Sequence, residues 1–212
     1  MLRQFVRIFT AIAALVGCCA LALQAGLSIQ LMIDQGETPL AAVWWFFGYF
    51  TVLANLGAAF VLVDMALRPD ATNGLSNRSL VLETASSIAL VGIVYSVALR
   101  RMWEPDGLQL LADRLLHDVT PVLFVAVWLV RPHGGLRWRD ALWAAVFPAL
   151  YAAYALIRGA IDGWYAYWFL DPSRSGLLEL SRNILALLGV IIVIGLAFVG
   201  IDKFLARRRT AS

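Results

Sequence analysis

Two pairs of polar residues interrupt long apolar stretches of the sequence and could carry chemistry. Thr51 and Asn55 are four residues apart, as are Asp113 and His117, so each pair shares one face of a helix. A His within proton-transfer reach of a hydroxyl is the minimum apparatus for nucleophilic attack on an acyl carbon, with the imidazole as base. Asp113 is the first candidate to orient that imidazole. Such residues more often form structural hydrogen bonds between helices, and spacing alone does not separate the two interpretations.

Further polar residues near the ends of the apolar stretches are candidates for binding a substrate. Arg114 or Arg182 could hold a carboxylate or an oxyanion, and Arg114 also has Asp118 four residues further on. The connection over 159–175 is rich in aromatic residues and could lie over a polar pocket as a lid, or form an aromatic belt between two helices. The substrate-binding candidates are Asn55, Arg114, Arg158, Trp164, Tyr165, Arg182 and Asn183.

The overall composition places these polar residues inside a membrane. Of the 212 residues, 61% are apolar and only 15% are charged, and the mean hydropathy is +0.78. A typical globular domain has about 25% charged residues, so this chain has too few polar side chains to cover a surface in water. An ordinary soluble domain and a disordered chain are both excluded.

Six apolar stretches bounded by charged residues, Pro or Gly are each long enough to cross a bilayer as a helix. The stretches are continuous in Ala, Leu, Val and Ile rather than alternating, which favours helices over barrel strands. We therefore expect an all-α integral membrane protein, with one domain over 1–212 and a bundle of six transmembrane helices. The predicted spans lie near 5–31, 41–67, 80–99, 109–130, 139–158 and 176–204.

The distribution of basic residues predicts that both termini face the cytoplasm. With the N-terminus inside, most of the 17 Lys and Arg residues fall in inner segments, and the outer connections hold only Arg100, Arg101, Arg158 and Arg174. The basic C-terminal residues then lie beside anionic lipid, so the sequence pI of about 9.1 does not imply a nucleic-acid partner.

The predicted topology also pairs the second helix with the fourth. Both run from outside to inside, with Thr51 ten residues after position 41 and His117 eight residues after position 109. At a rise of 1.5 Å per residue, the two side chains should lie ~15 Å and ~12 Å below the outer surface. We therefore expect Thr51 and His117 to face each other in the outer half of the bundle.

Cofactor and metal chemistry have little support in the sequence. Zinc requires further His or Cys ligands near His117, and no such grouping is present. Membrane haem usually requires two His on spans, whereas His133, the only other one, follows a predicted helix end. We expect neither a metal nor a cofactor.

Three segments of the sequence form a recognisable set. The first segment is Trp45-Phe46-Phe47-Gly48-Tyr49-Phe50-Thr51-Val52-Leu53-Ala54-Asn55-Leu56. The second is Leu115-Leu116-His117, followed by Pro121 and Trp128. The third and most specific is Tyr154-Ala155-Leu156-Ile157-Arg158-Gly159, followed by Gly163-Trp164-Tyr165 and Phe169-Leu170-Asp171. Together they resemble the androgen-induced-gene and androgen-dependent tissue-factor-pathway-inhibitor-regulating protein family, and its bacterial membrane relatives more closely.

The animal members of that family are multispan threonine hydrolases that cleave fatty acid esters of hydroxy fatty acids. The resemblance implies that Thr51 is the nucleophile and His117 its base. It also implies a membrane lipid or fatty acid ester as substrate, a bacterial inner membrane as location and no cofactor. With the topology above, the site would open to the outer half of the membrane.

Two other classes of protein fit the same residues. The polar cluster could belong to a non-enzymatic lipid-binding or transport protein, where it holds a head group or conducts protons. It could also be a structural network that only fixes helix packing. The sequence does not define the oligomeric state.

Overall fold

A computed structural model describes residues 1–102 and 104–210, and every regular element in these two ranges is helical. The α-helices are α1 (Leu2–Asp34), α2 (Pro39–Phe46), α3 (Phe50–Leu67), α4 (Arg78–Val94), α5 (Gly107–Arg114), α6 (Thr120–Val130), α7 (Val146–Asp162) and α8 (Pro172–Thr210). Short 3-10 segments occupy Gly74–Ser76, Trp138–Ala145 and Trp168–Leu170, and π turns occupy Tyr95–Leu99 and Leu115–Val119.

Within the part of the chain that the structure describes, five helices are long and apolar enough to cross a membrane, which confirms the prediction of an all-helical membrane protein. They are Arg3–Asp34, Phe50–Leu67, Arg78–Leu99, Trp138–Asp162 and Gly176–Arg208. The helix predicted over 109–130 is built from α5, the π turn Leu115–Val119 and α6 in direct succession, and it is not among the five.

The helix predicted over 41–67 is interrupted between α2 and α3. Its backbone leaves the helix at 47–49, where the carbonyl of Phe47 accepts a hydrogen bond from Tyr154 and that of Gly48 accepts one from Tyr151. A Cβ at Gly48 would clash with the Arg158 guanidinium and the Trp164 ring, so only Gly fits this approach. Residues on both sides of the break are apolar, and hydropathy therefore did not predict it. The consequence is that Thr51 lies in the first turn of a new helix.

The core of the bundle forms around α4, which contacts α3, α6, α7 and α8. Small residues of α4, Ala85, Ser86 and Ser87, are almost completely buried and let neighbouring helices approach closely. The largest fully buried side chains of the core include Leu62, Leu82, Ile88, Phe124 and Val127. In contrast, α1 and α8 expose many large aliphatic side chains, as helices facing lipid do.

The connection over 131–137 is fixed to α8 by one buried carboxylate, at the end of the bundle where α3 and α6 finish. Asp202 accepts hydrogen bonds from the backbone amides of Gly134 (2.9 Å) and Leu136 (3.0 Å). Its Oδ1 also lies 3.2 Å from Nδ1 of His133. This network ties the end of α6 to α8.

Candidate active site

The centre of the site is a contact between Thr51 and His117. Thr51 Oγ1 lies 3.3 Å from Nε2 of His117, which is hydrogen-bonding distance. Thr51 is in the first turn of α3, and His117 is in the π turn between α5 and α6. The expected juxtaposition of a hydroxyl and an imidazole is therefore present, across two helices that are far apart in sequence.

The second nitrogen of His117 faces two acceptors, and these determine where the ring carries its hydrogen. Nδ1 lies 3.0 Å from the backbone carbonyl of Asp113 and 3.2 Å from its carboxylate. Because both groups are acceptors, Nδ1 must donate, which leaves the lone pair of Nε2 directed at the Thr51 hydroxyl. This is the tautomer that a general base requires, and Asp113 has the orienting position that the sequence predicts for it.

Tyr95 is a member of the site that the sequence analysis missed. Its hydroxyl donates a hydrogen bond to the Asp113 carboxylate, and its ring stacks on the His117 ring with centroids 4.0 Å apart and planes 18° apart. Tyr95 begins the π turn Tyr95–Leu99, so the two stacked rings come from two facing π turns, a feature frequent at functional sites. A phenol that follows the apolar run from Ile88 to Val94 was the available signal.

Asn55 lies behind the Thr51–His117 pair and contacts backbone rather than a cavity. Its amide donates to the carbonyl of Thr51 (2.9 Å) and to the carbonyl of Leu116 (3.2 Å), and the side chain is completely buried. Asn55 therefore joins the first turns of α3 to the π turn that carries His117. The sequence analysis placed Asn55 among the substrate-binding residues, whereas its position is that of a support.

Tyr167 brings a third polar group to Thr51. Tyr167 and Thr51 line the same cavity walls, and burial raises the pKa of Tyr167 above its ordinary value. The phenol is thus a protonated donor at neutral pH. The first amides of α3 have no acceptor within the helix, and no side chain of the N-cap residue, Tyr49, bonds to them. These N–H groups and the positive end of the helix dipole could stabilise an oxyanion beside Thr51.

Two cavities meet at the Thr51–His117 pair. The larger one, hereafter the large chamber, has a volume of about 530 Å³ and includes the polar side chains of Gln24, Ser28 and Gln109 in its wall. The smaller cavity has a volume of about 70 Å³ and a largely apolar wall of aliphatic and aromatic side chains. Both are bordered by Thr51, Tyr95, Leu99, His117 and Tyr167. A molecule whose two arms diverge from one central group could occupy both.

Two of the predicted cationic residues are not brought to the pair. Arg114 binds Asp118 at 3.1 Å, as its four-residue spacing predicts, and Asp118 also binds Arg100. Arg182 is exposed on α8. Neither Arg114 nor Arg182 borders the two cavities, because position along a helix does not define which way a side chain points around it. Asn183 donates to the carbonyl of Phe169 at 3.1 Å and so anchors the 3-10 turn Trp168–Leu170 to α8.

Arg158 closes the end of the bundle next to the site. Its side chain is 3% exposed and lies between the rings of Trp44 and Trp164, at 4.4 Å and 5.0 Å from their centroids. It also donates to Asp162 at 3.2 Å and to the Tyr154 hydroxyl at 3.3 Å. Buried in this way, Arg158 fixes α7 to α2 and to the connection that follows α7, and it does not reach the Thr51–His117 pair.

The connection over 159–175 contributes to the wall of the large chamber through Ala166 and Tyr167. Tyr165, one of the predicted binding residues, instead packs against Gly159, where a Cβ would overlap its ring. Trp164 stacks near Tyr49 and Trp45, with centroids 5.4 Å and 5.9 Å apart. The segment thus covers the site at one end of the bundle.

Comparisons with protein families, with curated proteins and with solved structures found no match for this chain. In the two described ranges, no three His, Cys, Asp or Glu side chains form a group that could hold a metal ion. The fold and the site therefore define an all-helical membrane protein with a half-buried Thr–His contact between two cavities.

Proposed function

We propose that the protein is an intramembrane lipid-ester hydrolase in which Thr51 is the nucleophile and His117 the base. One observation carries the proposal. Thr51 Oγ1 is 3.3 Å from Nε2 of His117, and the carbonyl and the carboxylate of Asp113, which lie beside Nδ1, orient the His117 ring. Nucleophile, base and orienting group in this order are the minimum for acyl transfer. The resemblance to threonine hydrolases points to the same two residues.

The reaction has two steps. Thr51 Oγ1 attacks the ester carbonyl while Nε2 of His117 takes the hydroxyl proton, and the carbonyl oxygen becomes an oxyanion. Collapse of the intermediate breaks the bond to the alcohol, which leaves with the proton from His117. A water molecule, deprotonated by His117, then attacks the acyl-threonine. The bond between the acyl carbon and Thr51 Oγ1 breaks, His117 returns the proton to Oγ1, and the carboxylic acid is released. In this mechanism, we assign the Tyr167 hydroxyl and the amides at the start of α3 as donors to the oxyanion.

The substrate class follows from the two cavities. An ester has an acyl arm and an alcohol arm that diverge from the carbonyl, and the cavities diverge from the Thr51–His117 pair in the same way. A fatty acid ester of a hydroxy fatty acid, with its carboxyl group free or derivatised, and similar lipid esters have two such arms. Such a lipid would reach the pair sideways from the membrane.

For the membrane arrangement, we propose six spans, with the fourth formed by α5, the π turn and α6, and with both termini in the cytoplasm of a bacterium. The pair then lies in the outer half of the plasma membrane, where water can reach the acyl-enzyme. Fusing a periplasmic and a cytoplasmic reporter to each terminus tests this topology. Termini on opposite sides of the membrane would contradict six spans.

Purified protein in detergent with a fluorogenic fatty acid ester tests the enzymatic proposal. We expect Thr51→Ala and His117→Ala to lose about 10²- to 10⁴-fold in kcat, the usual contribution of a general base or its partner. The matched control is Thr10→Ala, because Thr10 is buried, more fully than Thr51, and among the described residues its hydroxyl bonds only to the carbonyl of Val6 in its own helix. Parent-like hydrolysis by both site variants would overturn the mechanism.

The alternative is a lipid-binding or transport protein that holds a ligand in the large chamber without turnover, which the chamber's volume of about 530 Å³ would allow. A fluorophosphonate probe separates the two functions. The hydrolase predicts covalent labelling of Thr51, detected by mass spectrometry and abolished in Thr51→Ala. A binding protein predicts retention of lipid without labelling.

A further inference from the structure

The large chamber carries a short chain of uncharged hydrogen-bonding side chains, hereafter the amide relay, formed by Gln24, Ser28 and Gln109. Gln109 of α5 donates to the Gln24 side-chain carbonyl at 3.0 Å, and Gln24 of α1 donates to the Ser28 hydroxyl at 3.0 Å. All three border the chamber that ends at the Thr51–His117 pair. We propose that the alcohol arm of the substrate carries an uncharged polar group that binds the amide relay, rather than a free carboxylate. This inference rests on the proposed hydrolase function.

The amide relay retains hydrogen-bonding capacity that a ligand could use. Each Gln amide has two N–H groups, of which one is used within the relay, and the Gln109 side-chain carbonyl accepts no hydrogen bond from the described residues. The relay therefore offers both donors and an acceptor. A carboxamide or a hydroxyl uses both kinds of group, whereas a carboxylate only accepts.

The charges around the chamber also disfavour an anion. Its titratable residues are Tyr49, Tyr95, Asp113, His117 and Tyr167, and among the described residues of its wall there is no Lys or Arg. A carboxylate placed there would be taken from water into a largely apolar wall that already contains Asp113. A buried carboxylate without a cation is costly, whereas a neutral group bonded to the amide relay is not.

Three guanidinium groups near the site already have acidic or aromatic partners. Arg100 and Arg114 both bind Asp118, which does not border the chamber, and Arg100 also lies over the Tyr95 ring, 5.1 Å from its centroid. Arg158 is held between two Trp rings at the end of the bundle. None of these three guanidinium groups is placed to neutralise a carboxylate at the amide relay.

The distance from the reacting carbonyl to the polar group follows from α5. Gln109, Asp113 and His117 are spaced by four residues and lie on one helical face, so the eight residues from Gln109 to His117 span ~12 Å. The polar group should thus lie up to ~12 Å from the ester. A derivatised long-chain hydroxy fatty acid, with its carboxyl converted to an amide or ester, has this length and this chemistry.

The test uses three probes that differ only at the far end: the oleate ester of 12-hydroxystearic acid as free acid, as methyl ester and as primary carboxamide. At pH 8, we expect the carboxamide to have a kcat/KM about tenfold or more above that of the free acid, with the methyl ester in between. A free acid that is hydrolysed as fast as the carboxamide, or faster, would overturn the inference while leaving the hydrolase intact.

A charge placed in the amide relay should reverse the preference. Gln109→Lys supplies the missing cation, so the free acid should become the better substrate. Gln30→Lys is the matched control, because Gln30 is on α1 but exposed and bonded to Asp34. If the Gln109→Lys and Gln30→Lys proteins are equally well folded and Gln109→Lys still prefers the carboxamide to the free acid by the parent ratio, the relay has no role in binding the far end of the substrate.

Binding to the Thr51→Ala protein keeps the test independent of turnover. The shift of the melting temperature with each probe reports affinity, because a ligand that binds only the folded state stabilises it. We expect the carboxamide to stabilise Thr51→Ala more than the free acid does. Absence of hydrolysis of all three probes by the parent refutes the proposed function, whereas equal or greater stabilisation by the free acid refutes the inference.

Discussion

The ring of Tyr95 lies nearly parallel to the ring of His117, with centroids 4.0 Å apart, while the Tyr95 hydroxyl donates to Asp113, the residue that orients His117. One side chain of α4 therefore contacts both the base and its orienting group. Gly92, one turn earlier, allows this approach, since a Cβ there would lie 3.2 Å from the His117 carbonyl. The geometry of the base is thus defined by two helices rather than one.

Two substitutions of Tyr95 separate the contribution of its ring, which stacks on His117, from that of its hydroxyl, which donates to Asp113. Tyr95→Phe keeps the stacked ring and removes the hydrogen bond to Asp113, so we expect kcat to fall about tenfold, the value of one charged hydrogen bond. Tyr95→Leu removes both contacts and should cost more. Tyr95→Phe keeps the ring that borders both cavities, so its KM for a fluorogenic ester should change little, and steady-state kinetics measure kcat and KM.

The control for the two Tyr95 variants is Tyr165→Phe, since the Tyr165 ring packs against Gly159 outside the two cavities. We expect Tyr165→Phe to keep the parent kcat. Equal activity of the parent, Tyr95→Phe and Tyr95→Leu would contradict a positioning role for Tyr95.

The sequence predicted the parts of the site that depend on one helix alone. Four-residue spacing placed Asp113 beside His117, and depth along the second and fourth stretches paired His117 with Thr51; in the structure these contacts are 3.2 Å and 3.3 Å. The helical, membrane-spanning character also followed from composition, because apolar length is a property of the chain itself.

The remaining features depend on contacts between helices, which periodicity does not contain. The break between α2 and α3 is stabilised by two tyrosines of α7, whose hydroxyls donate hydrogen bonds to the carbonyls of Phe47 and Gly48. The two π turns redirect side chains without interrupting the apolar sequence, so hydropathy does not reveal them. Arg114 was placed near the substrate from its sequence position, whereas its ion pair with Asp118 holds it away.

Two glycines of the second stretch should respond oppositely to the same substitution. Gly48→Ala brings a Cβ into the Arg158 guanidinium and the Trp164 ring, which are themselves packed at the end of the bundle, so it should lower both the melting temperature and the activity. Gly57→Ala lies inside α3 with nothing within 4 Å of its Cβ, and should stabilise by about 0.5–1 kcal/mol through helix propensity. Thermal denaturation in one detergent measures both; equal melting temperatures would show that the approach at Gly48 is not tight.

Buried polar groups with and without partners offer a second comparison. Asn55→Ala leaves the Leu116 carbonyl without its donor, and we expect a loss of about 1–3 kcal/mol in the free energy of unfolding. The hydroxyl of Ser86 is buried and makes no hydrogen bond to the described residues, so Ser86→Ala should be neutral or slightly stabilising. Denaturation of the two proteins side by side checks the contrast. A Ser86→Ala protein as unstable as Asn55→Ala would contradict it.

The Asp202 network predicts a loss of stability that is independent of the catalytic pair. Asp202 accepts from the amides of Gly134 and Leu136 at 2.9 Å and 3.0 Å with its two different oxygens. In Asp202→Asn, one of these oxygens becomes an NH₂ group that faces a backbone N–H, so one buried amide loses its acceptor and a donor is directed at a donor. We expect a cost of about 1–3 kcal/mol, and a lower melting temperature by several degrees.

Asp140→Asn is the control, because Asp140 accepts a single hydrogen bond, 2.7 Å from the exposed amide of Arg137, and Asn can accept it too. Asp140→Asn should therefore melt like the parent. Since Asp202 borders neither of the cavities at Thr51, Asp202→Asn should keep the parent kcat when assayed well below its melting temperature. A parent-like melting temperature for Asp202→Asn would mean that the connection over 131–137 is held by other contacts, and a lower kcat in a fully folded sample would mean that the two ends of the bundle are coupled.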